Sequence, residues 1–186
     1  MQTKRKPKKL AEEELFSYAV KLLGVRGYSS GEMRSKLRAK AADPADPEKI
    51  IDRLKDIKYL DDEQFAQSYA TARRDNEGFG KFRVLMDLKK RRVGGELANE
   101  AVGQAYAEVN EAELVDQYIE RRMPVIAAGG VTDQSKLAMA YRRLRRAGFS
   151  PRHIFPALKK YAAHPEELEE PLVDDSADES SEEGLG

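Results

Sequence analysis

The residues best equipped for chemistry are the run Asp61-Asp62-Glu63, the histidines His153 and His164, and the turn Gly78-Phe79-Gly80. Three carboxylates could hold a divalent cation, but consecutive helical residues point about 100° apart and cannot converge on one ion unaided. Asp61 reads instead as a helix cap, with Asp62 and Glu63 favoured by the positive end of the helix dipole; a ligand or contact role is the other reading. His153 falls in the first turn of the last helix and His164 in a polar tail, neither at the spacing of a metal pair or of a nucleophile and its base. The glycine turn lacks the Lys and Ser/Thr of a phosphate loop and no strand precedes it. Cysteine is absent, which removes thiolate nucleophiles, thiolate metal sites and disulfides together and fits a reducing cytoplasm. No catalytic, metal or cofactor-binding residue is expected, and the function is binding.

Cations carry more information. The net charge is zero, yet from Glu166 onward there are ten acidic residues and no Lys or Arg, so residues 1–165 hold all 33 basic and 23 acidic groups. A body of that sign attracts polyanions or acidic protein surfaces, and the attraction weakens with salt. Its candidate partner-binding residues are Arg73 and Arg74, Lys81 and Arg83, Lys89, Lys90, Arg91 and Arg92, and Arg142, Arg145 and Arg146. The last three share one helical stripe by i, i+3, i+4 spacing, while Leu137, Tyr141 and Leu144 trace the apolar side. The planar guanidinium fork suits phosphate and carboxylate alike. Solvated helix faces are the plain alternative.

The elements that must position these residues are helical throughout. An apolar residue, a cap and a second apolar residue five positions after the first recur at Tyr28/Ser29/Met33, Leu60/Asp61/Phe65, Val109/Asn110/Leu114 and Phe149/Ser150/Ile154, with Gly80 a weaker case and Asp46-Pro47 a cap–proline start. Glu32, Gln64 and Glu113 complete capping boxes. These starts repeat about every 50 residues. Leu15, Phe65 and Leu114 occupy the first helix of each repeat; Met33, Val84 and Ala140, then Leu37, Leu88 and Leu144, the second; Ile50, Ala98 and Ile154, then Leu54, Val102 and Leu158, the third. The third repeat has a longer link through Ala127, Ala128, Gly129 and Gly130, and its second helix should begin near Thr132 or Asp133 for want of a cap at Lys136. Tyr69 and Tyr118 occupy matching places and read as packing residues, with base stacking the other reading.

The fold class expected is all-α: nine helices in three tandem three-helix repeats, forming an elongated, curved, solenoid-like body with disordered termini. The boundaries are a basic arm at 1–9, repeats at 10–59, 60–109 and 110–163, and an acidic tail at 164–186. No apolar run approaches the roughly 20 residues of a bilayer span and no signal peptide is evident, so a cytoplasmic protein without a membrane partner is expected.

The stretch Leu22-Leu23 through Arg26-Gly27-Tyr28-Ser29, Glu32-Met33 and Lys36-Leu37, followed by Tyr59-Leu60-Asp61-Asp62-Glu63-Gln64-Phe65-Ala66, Tyr69, Arg73 and Gly78, resembles the RecX family of RecA regulators. The resemblance spans about residues 12–162 and weakens through the second and third repeats. Lys58 departs from it, standing where the family usually has Gly. The resemblance implies three tandem three-helix repeats and a monomer without cofactor that binds the groove of the RecA filament on single-stranded DNA. It implies restraint of ATPase, strand-exchange and co-protease activities, and hence a place in DNA repair, homologous recombination and the SOS response. A direct nucleic-acid-binding helical protein is the alternative, and an accessory subunit a third class. No recognition helix with paired base-reading residues is evident.

Overall fold

Apolar residues four apart share one face of a helix, and that face is the one buried against neighbouring helices. The computed structural model describes residues 9–162 and 164–171; the expected arm, apart from Lys9, and the tail from residue 172 lie outside them. Repeat 1 comprises α1 (Glu12–Leu23), α2 (Ser30–Lys40) and α3 (Asp46–Asp56), and repeat 2 α4 (Asp62–Glu77), α5 (Lys81–Lys90) and α6 (Gly95–Ala105). Repeat 3 comprises α7 (Glu111–Arg122), α8 (Pro124–Gly129), α9 (Gln134–Arg146) and α10 (Pro151–Lys160).

Ten α-helices therefore stand among the described residues where nine are expected. The additional one, α8, occupies the supposed link: Pro124 supplies a helical φ at the first turn, Ile126 is buried, and Gly130 at φ 70° ends it. The second helix of repeat 3 begins where its sequence predicts, with Asp133 accepting from the Lys136 amide at 2.9 Å.

The chain forms two compact units, one of Met1–Glu77 with Val84–Glu108, the other of Gly78–Arg83 with Val109–Gly186. The first unit buries Leu15, Met33, Leu37, Ile50 and Leu54 in repeat 1, and a core of smaller residues in repeat 2, where Ala66 and Ala70 of α4 pack with Ala98, Ala101 and Ala105 of α6. The second unit buries Leu114, Ile119, Leu137, Leu144, Phe149, Ile154 and Leu158, with Tyr118 edge-on to Phe149 at 5.4 Å between centroids. Each such side chain contributes about 1.5–3 kcal/mol on removal from water. Every apolar position used above to align the repeats is buried except Phe65, which stacks on Tyr69 at 5.9 Å and lies under Gly27. Tyr118 packs in the core as expected; Tyr69 is only half-buried.

Three caps act as their sequence suggests: Ser29 accepts from the Glu32 amide, Asp61 from the Gln64 amide and Asn110 from the Ala112 amide. Two do not. The helix of repeat 1 already includes Asp46, whose carboxylate pairs with Lys49, and Ser150 leaves its own helix uncapped while its amide donates to Glu111 at 2.8 Å. Asp61→Ala removes a cap of exposed geometry and should cost about 0.5–2 kcal/mol, read as a lowered urea midpoint. An unchanged midpoint would show that the start of α4 does not depend on it.

The acidic end is ordered further than its composition implies. Pro165–Glu167 form one 3-10 turn and Leu168 is buried, so residues 164–171 of the expected tail have a defined place.

Candidate partner-binding surface

Two close joints determine which basic side chains are available. In the first unit the hydroxyl of Ser29 donates to the carbonyl of Arg91, and Gly31 lies so near the turn after α5 that a Cβ there would stand 2.4 Å from the Arg92 carbonyl. In the second unit the Gly80 amide donates to the Ala147 carbonyl at 2.8 Å and the Phe82 amide to the Gly148 carbonyl at 3.3 Å. Aligned through Leu37, Leu88 and Leu144, Ser29 matches Gly80, and Arg91-Arg92 match Ala147-Gly148. Both turns hold their second residue left-handed, Arg92 at φ 57° and Gly148 at φ 89°. That conformation costs a non-glycine residue roughly 1–2 kcal/mol.

The first joint consumes cations that the sequence marks as partner-binding. Arg91 pairs with Glu32 at 3.2 Å and lies over the Tyr69 ring at 5.3 Å. Arg73 bonds Asp87 and the Tyr69 hydroxyl at 3.0 Å each, pairs with Glu77, and lies over the same ring at 5.2 Å. Arg74 holds Asp75 and the Ala105 carbonyl. These three arginines brace the first unit. Glu32, read from sequence as the second half of a capping box, instead bridges Arg91 and Arg26, and Arg26 covers Tyr28 at 3.7 Å. Burial raises the Glu32 carboxyl, but hydrogen bonds from Arg26 and Arg91 outweigh it and hold its pKa below the ordinary value. Nothing in a Ser-x-x-Glu pattern distinguishes a cap from this bridge, because the bridging partner is 59 residues away.

The remaining candidates form two groups. Lys89, Lys90 and Arg92 are exposed at the end of α5 in the first unit. In the second unit Arg83 reaches the Arg146 carbonyl at 3.4 Å and covers Phe79, which brings Lys81 and Arg83 to the end of α9. Arg145 turns back to the Phe149 carbonyl at 3.3 Å. Arg142 and Arg146, one helical turn apart, are exposed and without an ion pair among the described residues. The negative end of the α9 dipole favours this concentration of cations. Arg143, outside the expected stripe, closes onto the Arg122 carbonyl.

The described surface offers charge. The nearest approach to a catalytic arrangement is Glu111, His153 and Ser150, where His153 is not unpartnered as its sequence position implies. Its Nδ1 meets Glu111 at 3.4 Å and the Ser150 hydroxyl at 3.3 Å. A relay needs the two ring nitrogens to face base and nucleophile separately, and here one nitrogen serves both. The cluster fastens the start of α10 to α7: burial raises the Glu111 carboxyl, while bonds from Ser150 and His153 bring it below its ordinary value. No described helix is long and apolar enough to cross a membrane.

Comparison with known proteins follows the repeats. A family model for the first three-helix domain of RecX matches residues 16–54, and one for the second three-helix domain matches residues 61–102. Regulatory protein RecX of Deinococcus radiodurans is 30% identical over 170 residues, covering 89% of this chain and 79% of the relative. Its namesake from Syntrophotalea carbinolica is 28% identical over 142 residues, 76% of this chain and 92% of the relative. The crystal structure of RecX from Lactobacillus salivarius superposes with a TM-score of 0.64 at 18% identity, over 81% of this chain and 96% of that one, which shows the shared fold.

Proposed function

This chain belongs to the RecX family of regulatory proteins, and from that premise we propose that it binds the RecA filament on single-stranded DNA and restrains it. It acts as a monomer in the cytoplasm, lies in the filament groove, and lowers ATP hydrolysis, strand exchange and co-protease activity by occupancy, without chemistry of its own. DNA repair by homologous recombination and the SOS response are the processes it would temper. The observation that carries this reading is the group at the end of α9, where Arg142 and Arg146 stand exposed beside Lys81 and Arg83. Such a group meets acidic side chains and phosphates equally well, and a filament coated on nucleic acid presents both.

The same exposed cations favour direct nucleic-acid binding as a second reading. RecA's DNA-dependent ATPase, measured with and without the protein, separates the two when joined to binding assays on bare single-stranded DNA, free RecA and assembled filament at equal salt. A falling ATPase with preferential binding to filament is expected. An unchanged rate at several-fold excess over RecA rejects the reading, and filament-independent DNA binding of equal strength favours the second.

A further inference from the structure

The described part of the acidic end lies along α9. Leu168 is buried, the Gln134 side-chain amide donates to the Glu169 carbonyl at 2.9 Å, and the Tyr141 hydroxyl donates to the Glu170 carboxylate at 3.3 Å. Tyr141 is itself 3% exposed, so its hydroxyl has a fixed direction and holds Glu170 in place. The chain thus reaches Pro171 beside the residue that immediately precedes Arg142. Beyond Pro171 the sequence has fifteen residues, six of them Asp or Glu and none Lys or Arg.

We propose that the arginine face of α9 is the seat of this chain's own C-terminal segment, residues 172–186, an internal polyanion that an external partner must displace. Three observations fix the occupant. Length is sufficient: fifteen residues span up to about 50 Å, whereas Tyr141 to Arg146 is about 7.5 Å of helix. Charge is complementary: the segment carries six carboxylates and no Lys or Arg, and Arg142 and Arg146 have no ion pair among the described residues. The point of departure is set by Leu168 and Tyr141, so tethering holds the segment near α9 at an effective concentration of about millimolar order. Weak contacts at that concentration occupy the face for part of the time and raise the threshold for a competing polyanion. The effect is screened within about 8 Å at physiological salt and about 3 Å at 1 M, so it fades as salt rises. The inference deepens the proposed binding surface and rests on that reading only for what the segment competes with.

The test compares the full chain with a full-length variant carrying Asp174→Asn, Asp175→Asn, Asp178→Asn, Glu179→Gln, Glu182→Gln and Glu183→Gln. Circular dichroism and melting of the two proteins check that the fold is the same in both. Nitrogen-15 NMR at low salt should show the Arg142 and Arg146 amide and side-chain Nε–H resonances shifted between the two proteins, with the difference closing near 1 M salt. A labelled thymidine oligonucleotide should bind the variant several-fold more tightly at low salt. Identical α9 resonances overturn the proposal, as do shifts confined to Lys89, Lys90 and Arg92, which would place the segment elsewhere. Oligonucleotide affinity unaffected by the six substitutions overturns the competition. Neither readout contains RecA, so failure here leaves the filament reading standing, and a null ATPase result leaves this one standing.

Discussion

Gly31→Ala should lower the melting temperature by about 2–12 °C, the equivalent of about 1–3 kcal/mol of overpacking. The added methyl would stand 2.4 Å from the Arg92 carbonyl oxygen and 2.6 Å from the Arg92 Cβ. Neither neighbour can rotate away, because Arg92 sits in a left-handed turn whose preceding carbonyl is held by the Ser29 hydroxyl. Relief requires α2 and the end of α5 to separate, which also loosens the Glu32 bridge to Arg91. Gly103→Ala is the control: it lies on the exposed face of α6 with nothing within 4 Å of its would-be Cβ, and should stabilise by about 0.4–1 kcal/mol through the unfolded chain. Calorimetry of the two variants reads opposite signs. Parent-like melting of Gly31→Ala would mean that the joint has slack the close approach denies.

Arg142→Gln with Arg146→Gln should weaken restraint of the RecA ATPase about thirtyfold while leaving circular dichroism and melting unchanged. The second half follows from exposure, since solvated charges contribute little to folding. The first follows from two charge-assisted contacts of about 1 kcal/mol or more each, with 1.4 kcal/mol corresponding to a factor of ten. Salt dependence should flatten in parallel, by about one unit of logarithmic slope per lost phosphate contact. Arg145 is left in place because it also holds the Phe149 carbonyl, and its loss would confound binding with the end of α9. Equal restraint by parent and variant across a salt series removes α9 from the interface and turns attention to Lys89, Lys90 and Arg92.

Local patterns were legible wherever the physics is local. The spacing of Met33 and Leu37, of Val84 and Leu88, and of Ala140 and Leu144 follows from one helical turn, and all six are buried. Caps at Ser29, Asp61 and Asn110 need only the next three residues, and they form. What escaped the sequence depends on pairing over long separations. Whether an arginine faces solvent or braces a fold is decided by its partner: Arg91 meets Glu32 across 59 residues and Arg74 meets the Ala105 carbonyl across 31. Clusters of cations therefore do not reveal their intramolecular partners, and only the structure separates exposed Arg142 and Arg146 from Arg73, Arg74 and Arg91, which are engaged within the fold. Helix α8 escaped for a different reason, since six residues ending in Gly129 carry no periodicity that distinguishes a helix from a link.

The two joints also amount to a rule for chain extension. A second helix that can be preceded must end in a left-handed turn, as α5 does at Arg92 and α9 at Gly148, and one that can be followed must begin with a residue small or polar enough to meet that turn, as α2 does at Ser29 and Gly31 and α5 at Gly80. Only α5 has both features. The end of α2 is extended at Ala41, where the matching turn would be, and α9 starts early under Asp133 with Lys136 at the place of Ser29 and Gly80. Repeat number is thus written into the termini of three helices: an inserted copy of repeat 2 would find matching ends on both sides, and a copy added outside repeat 1 or repeat 3 would find none.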